Sequence, residues 1–331
     1  MSDREEIVSR VTTALNGRPS PVAIRNARKV DARGEQRGYW VVSDASGVIV
    51  ASGTGEETFE HYCRTVGLDP ADRNAVIDAE GRILTPGYVD IHAHGAWERS
   101  FDDGSDGIDV ARAGHAVHGT TRQVLSLITN PVDVICRNIR TVRDKMESGR
   151  PDILGCHLEG PFLALARKGA HDPECLKDPV PEIVDEMLEA SGASSGKSGC
   201  IRQITIAPEL PHGIGAIRQF AAAGVVPAVG HCDADYETAK AGFAAGAGIM
   251  THMFNAMNGL HHREPGPIPA AVEDPRVTIE LINDGFHVQD PMVSLSFRFA
   301  PHRTAFVTDA MAATDCLDGA YKLGALDVRS E

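Results

Sequence analysis

The 331-residue chain carries 46 acidic against 32 basic side chains, a formal charge of −14 at neutral pH. The length suits one large α/β domain plus a smaller piece. The acidic balance, with no basic cluster, argues against nucleic acid or an anionic membrane surface as partner. Seven cysteines (63, 136, 156, 175, 200, 232 and 316) are odd in number and form no C-x-x-C pair, which suits inert core thiols in a reducing compartment. The charged N-terminus lacks an apolar targeting core and no run approaches membrane length, so a soluble cytoplasmic protein is expected.

Residues 1 to about 20 are polar, and the weak helical spacing of Ile7, Val8, Val11 and Leu15 predicts a leading helix or arm. From Val22 to Asp78 the character turns extended. VAIRNARKV is followed by GYWVVSD and GVIVASG, which the turn residues Asp44-Ala45-Ser46-Gly47 join as a β-hairpin. NAVIDAEGRIL adds a further strand. This part reads as a structural β-unit and has no catalytic reading.

From Tyr88 short apolar runs recur, each followed by a helix-length segment: YVDIH, RQVLSLIT, ILGCHL, QITIA, VVPAVGH, IMTHM, TIELIND and TAFVTD. Segments such as PVDVICRNIRTVRDKMES, GIGAIRQFAAAG and DYETAKAGFAAG between them have helical spacing with Gly at the exits. Eight strands alternating with helices point to a parallel (β/α)8 TIM-like barrel rather than an open doubly wound sheet. The Ser/Gly-rich stretch at 191–199 reads as a flexible loop.

The polar residues sit where such a barrel puts its chemistry, at the C-terminal ends of the strands. In TPGYVDIHAHG, His92 and His94 are two residues apart; on a strand both rings face one side, whereas a helix would splay them about 200° apart. Glu159, His231, His252 and Asp309 end four further runs. A strand-end Asp often caps a helix and a His in an apolar run is often a hydrogen-bonded core residue, so the cluster, not any one residue, is the signal. Four imidazoles with carboxylates suit a divalent ion such as zinc or iron, one or two per chain, with a coordination position left for a water of lowered pKa. If two ions bind, Glu159 is the expected bridge, and Asp309 is placed to take up the water's proton. His115 and His118, at i and i+3 on a predicted helix, read as structural. His157 shares its strand face with Glu159 and reads as a support for a ligand. His261 and His262 read as loop-shaping neighbours.

TPGYVDIHAHG, HLEGPF with His171 twelve residues beyond its Glu, VGH, HMFNAM, HHREPGP, DGFHV and TDAM together resemble the amidohydrolase superfamily, and within it the deacetylases of amino-sugar phosphates. The resemblance runs from about residue 22 to the end. It implies a (β/α)8 barrel with a small β-sandwich domain begun by the N-terminal segment: residues 1–85 as part of that domain, 86–315 as the barrel and 316–331 as the start of a C-terminal return. Compared with the family pattern, the eighth helix and the second half of the β-domain are expected to be missing. The resemblance further implies Glu159, His231 and His252 as ligands of a principal metal, and His92 and His94 as those of a second beside Glu159 and Asp309. It assigns His171 to the acetamide carbonyl, and Asn255, Ala256, Arg263 and His287 to the sugar phosphate, in a homodimer. The implied reaction removes the acetyl group of N-acetylglucosamine 6-phosphate. The alternatives are another N-acetylhexosamine phosphate, a cyclic amide, or a non-catalytic metal-binding protein.

Overall fold

The computed structural model describes residues 3–194, 199–324 and 326–330, and its chain divides into two compact units after Tyr88. Among the described residues no helix is long and apolar enough to cross a membrane. The centre of the Ser/Gly-rich stretch, 195–198, lies outside the described residues.

The first unit opens with helix α1 (Asp3–Asn16), followed by β1 (Val22–Asp31), β2 (Gly34–Ser43), β3 (Ile49–Thr54), α2 (Glu56–Thr65), β4 (Val76–Asp78) and β5 (Ile83–Leu84). These strands form one five-stranded sheet: β2 pairs antiparallel with β1 and β3, and β1 also carries β4 and β5 in parallel. The expected hairpin turn is closed by Asp44, whose carboxylate accepts from the Ser46 amide at 2.8 Å and hydroxyl at 2.6 Å, an Asx turn. Alternate residues of β2, Trp40 and Val42, point into a small core with Ala23, Phe59, Cys63 and Val76. The extended reading of this region missed α2. Only Phe59 and Cys63 of that helix are buried, one i,i+4 pair and too little to reveal a period.

The second unit begins at the second residue of β6 (Tyr88–Ala93) and contains a small hairpin β7 (Gly95–Ala96) and β8 (Arg99–Ser100), α3 (Gly104–Val117), β9 (Thr120–Ile128), α4 (Val132–Glu147), β10 (Ile153–Glu159), α5 (Pro181–Ala190) and β11 (Ile201–Ile206). It continues through α6 (Gly213–Ala222), β12 (Val226–Val229), α7 (Tyr236–Ala244), β13 (Ile249–Met250), α8 (Pro267–Glu273), β14 (Thr278–Ile282), α9 (Asp290–Phe299) and β15 (Thr304–Val307). All eight apolar runs are strands of one sheet, in the order β6-β9-β10-β11-β12-β13-β14-β15. The ends meet beyond the last ladder, where the Asp309 amide donates to the His92 carbonyl at 2.8 Å and the His94 amide to Ala310 at 2.7 Å, giving a nearly closed barrel. After β15, no helix follows among the described residues; β16 (Gly319–Leu323) and β17 (Leu326–Ser330) pair as an antiparallel hairpin.

The pleat sorts the strand residues. Leu125, Leu127, Leu158, Ile204, Ile206, Ile279 and Leu281 join the apolar cluster with Ile135, Ile139 and Phe220 of the helices. Alternate positions, Ser126, His157, Gln203, Thr205 and Glu280, are buried and polar and bond one another: His157 joins Ser126 at 3.0 Å and Thr205 at 2.9 Å, and Gln203 donates to Glu280 at 2.7 Å. Barrel interiors are ordinarily filled with branched apolar residues, so this polar layer marks the site above it.

On the outer layer Arg112 of α3 is fully buried yet bonded, donating to Asp152 at 2.7 Å and Asp109 at 2.8 Å, while Lys145 of α4 reaches Asp109 at 2.6 Å. Truncating Arg112 leaves the half-buried Asp152 carboxylate without this partner while Asp109 keeps Lys145, so Arg112→Ala is expected to cost roughly 1.5–3 kcal/mol in denaturant unfolding. A loss below about 1 kcal/mol would show the pair is solvated.

Candidate metal centre

Glu159 is the last residue of β10, His94 follows β6, and His231, His252 and Asp309 each stand two residues beyond β12, β13 and β15. The barrel gathers these ends. His92, His94, Glu159 and Asp309 offer ligand atoms that lie within 4.8 Å of one another, and so do Glu159, His231 and His252. Glu159 belongs to both groups. Its Oε1 is 3.1 Å from His252 Nε2, 3.2 Å from His231 Nε2 and 3.3 Å from His92 Nε2; its Oε2 is 2.9 Å from His94 Nε2. Asp309 Oδ1 stands 3.3 Å from His92 Nε2 and 3.5 Å from His94 Nε2.

These spacings fit a cation. Bonds of about 2.0–2.1 Å in a tetrahedron put neighbouring ligand atoms about 3.3 Å apart. The protonation arithmetic agrees. His92 Nε2 is buried without a hydrogen-bond partner although two carboxylate oxygens face it, and His231 and His252 bring their Nε2 atoms within 3.0 Å of each other. On the far side His231 Nδ1 donates to the Arg167 carbonyl at 2.8 Å, and a carbonyl can only accept, so the neutral ring keeps a bare Nε2 toward Glu159.

Local strain accompanies this convergence. His231, His252 and Asp309 all have left-handed backbones, at φ 46°, 25° and 48°, a conformation that costs ~1–3 kcal/mol each and persists where the surroundings over-determine it. Gly160, at φ 94°, follows Glu159; a Cβ there would sit 2.0 Å from Thr129 Oγ1. That hydroxyl lies 3.1 Å from the Glu159 carbonyl and 2.8 Å from His171 Nδ1, so the glycine admits the side chain that holds His171. Gly95 serves likewise, since a Cβ would meet the Arg99 carbonyl at 2.2 Å across the β7–β8 hairpin.

Burial pushes the Glu159 carboxyl up, but the surrounding imidazoles, His92 first, outweigh it and hold it well below the usual carboxylate range. Burial also lowers His92, yet Asp309 and Glu159 carry it well above its ordinary value. His171 is pushed down to about 4 by burial, with Glu159 opposing, so its ring is neutral at pH 7. Chelating divalent ions is expected to lower the thermal midpoint, because an ion held at 100 to 1,000 times its Kd contributes about 2.7–4.1 kcal/mol. A midpoint indifferent both to chelation and to added zinc counts against the site.

His171 reaches the cluster, with Nε2 3.4 Å from Glu159 Oε2 and its ring 4.7 Å from that of His231. Asn255 and Ala256 lie in the strained turn after His252, where the Asn255 amide donates to the His252 carbonyl at 3.0 Å and Ala256 has φ 48°. Arg263 and His287 are exposed, and their bonds stay local: the Arg263 amide donates to His261 Nδ1 at 3.4 Å, and His287 Nδ1 pairs with Asp284 at 2.7 Å. Arg263 borders an open groove of about 650 Å³ that it shares with Asp233, Tyr236 and Asn258. His115 is buried with Nε2 3.1 Å from the Gly95 carbonyl, bracing the small hairpin. The ring of His157 stands 4.5 Å from that of His92. Sequence reasoning missed Thr129, Gln203 and Glu280. The only signal for Gln203 and Glu280 is a polar residue on the inward pleat of an apolar run, and Thr129 stands one residue past β9.

The model of the amidohydrolase family matches residues 83–317. The chain is 33% identical over 252 residues to the N-acetylgalactosamine-6-phosphate deacetylase of Escherichia coli O157:H7, covering 75% of this chain and 65% of the relative. It is 34% identical over 248 residues to the N-acetylglucosamine-6-phosphate deacetylase of Vibrio furnissii, covering 74% and 61%. The chain thus spans slightly less than two thirds of both. Among solved structures, a mutant N-acetyl-D-glucosamine-6-phosphate deacetylase from Mycobacterium smegmatis, in complex with N-acetyl-D-glucosamine-6-phosphate, superposes with a TM-score of 0.78 at 36% identity, covering 94% of this chain and 76% of that one. With a family match that takes in every barrel strand from β6 to β15 and both groups of ligand-bearing side chains, the chain belongs to the amidohydrolase family.

Proposed function

We propose that the chain hydrolyses the acetamide of N-acetylglucosamine 6-phosphate, releasing acetate and glucosamine 6-phosphate. The observation that carries this reading is Glu159 shared between two ligand groups, with His171 on one side and Asp309, its side chain 22% exposed, on the other. One or two divalent cations, zinc or iron by the character of the donors, would supply Lewis acidity and lower the pKa of a water toward neutral. His92, His94, Glu159, His231, His252 and Asp309 hold them. Asp309, the ligand-group residue open to solvent, accepts the attacking water's proton and returns it to the departing amine nitrogen. The Thr129 hydroxyl, which donates to the Glu159 carbonyl, accepts from His171 Nδ1 and orients the ring toward the acetamide, whose carbonyl His171 is assigned to polarise. Asn255 and Ala256 present the turn after His252 to the sugar. Arg263 offers the forked donors that suit phosphate, and its exposure and that of His287 fit contact across a homodimer. The scattered cysteines, six of the seven buried, suit the cytoplasm.

The galactosamine relative favours a second reading, the C4 epimer as substrate. Acetate release from both hexosamine phosphates, and from N-acetylglucosamine without phosphate, separates the readings. The expected order puts N-acetylglucosamine 6-phosphate first and the unphosphorylated sugar lower by on the order of 10²-fold, the value of a lost charge-assisted contact. A metal-loaded protein that releases acetate from neither phosphate overturns the proposal.

A further inference from the structure

Glu280 lies at the middle of β14 with no exposed surface, inside a barrel where a carboxylate is costly to bury. Its described partners are donors: Gln203 Nε2 at 2.7 Å on Oε1, and His92 Nδ1 at 3.1 Å and the His252 amide at 3.4 Å on Oε2. The glutamine amide and the backbone N–H can only donate, so both oxygens of Glu280 act as acceptors and His92 must bring its proton to Nδ1. In the neutral state that a metal ligand must adopt, the imidazole therefore turns a bare Nε2 toward Glu159 Oε1 and Asp309 Oδ1, each 3.3 Å away. Three lone pairs converge with no proton between them, the arrangement that a cation completes. If the acceptor at Nδ1 is lost, the proton is free to move to Nε2, where it would bond Glu159 or Asp309 and remove His92 as a ligand.

The support is uneven across the centre. His94 Nδ1 is buried without a partner, so within its group His92 is the ring with a carboxylate behind it. His231 has its own prop in the Arg167 carbonyl, on a different loop. We propose that Glu280 is a positioning residue that fixes the tautomer of His92 and thereby controls filling of the His92/His94/Asp309 group, while the Glu159/His231/His252 group fills without it. This rests on the metal-centre reading given above and concerns ion binding, not turnover.

The test loads full-length protein with zinc, removes excess, and measures ions per chain; a cobalt titration followed by visible absorption reads the two affinities separately. Wild type is expected to hold two ions. Glu280→Gln and Glu280→Leu are expected to keep the tighter ion and to bind the other 10–100-fold more weakly, the range of a lost outer hydrogen bond to a ligand, with the leucine worse because it offers no acceptor. Glu280→Asp is expected to recover part of the loss. His92→Asn should remove the same ion, which ties the effect to that ring. Two ions at wild-type affinity in both Glu280 variants overturn the proposal, as does equal loss of both ions, which marks a merely structural role. A wild type that holds a single ion overturns it together with the two-group reading. Two ions bound with no acetate released sink the deacetylase assignment alone and leave the role of Glu280 standing.

Discussion

Replacing Glu159 by glutamine is expected to empty both ligand groups at once, lowering bound zinc from two ions per chain to well under one. The reason is geometric. One oxygen of Glu159 lies within 3.3 Å of three imidazole nitrogens and the other lies 2.9 Å from a fourth. An amide of the same shape turns one of those acceptors into a donor and removes the charge that offsets two cations in a buried pocket. Because His231 and His252 remain at 3.0 Å from each other, the variant is expected to fold, with the rings sharing protons instead of an ion. Hydrolysis should fall by on the order of 10³ or more, since both the Lewis acid and the acidified water go with the ions. Elemental analysis and acetate release measure the two effects. A Glu159→Gln protein that retains both ions and turns over normally would show that the centre is organised around some other residue.

The legible parts of this fold were those that repeat. Each barrel strand is a short apolar run with punctuation on both sides, and eight of them in sequence leave few architectures open. The metal candidates could be read because barrels place chemistry at strand ends, and His92, Glu159, His231, His252 and Asp309 each terminate a run. Glu280 could not be read the same way. In TIELIND a lone acid inside an apolar strand looks like an outward-facing charge, and only the pairing of β14 with strands on both sides turns that position inward. Thr129 was hidden for a related reason, since a residue just past a strand looks like loop until Gly160 lets another chain segment approach it. The tautomers of His92 and His231 depend on Glu280 and on the Arg167 carbonyl, partners 188 and 64 residues away, and no local pattern encodes them.

Asp309→Asn separates proton transfer from scaffold. Asp309 sits at φ 48°, where asparagine is among the few residues at ease, and its backbone amide, which closes the barrel onto the His92 carbonyl at 2.8 Å, is unchanged by the substitution. Stability of the ion-free protein is therefore expected to stay within about 0.5 kcal/mol of the parent. The Glu159/His231/His252 group does not include this side chain, so at least one ion should remain. What the variant lacks is a basic oxygen open to the substrate face, and loss of a positioned acid–base group typically costs 10²–10⁴-fold, roughly 3–5 kcal/mol of barrier. The loss should fall on kcat, with KM shifted by no more than about threefold, because the proton is in flight only in the transition state. If Asp309→Asn and the parent release acetate at similar rates while both carry metal, the base is another residue, and His171, the remaining neutral imidazole beside Glu159, becomes the one to test.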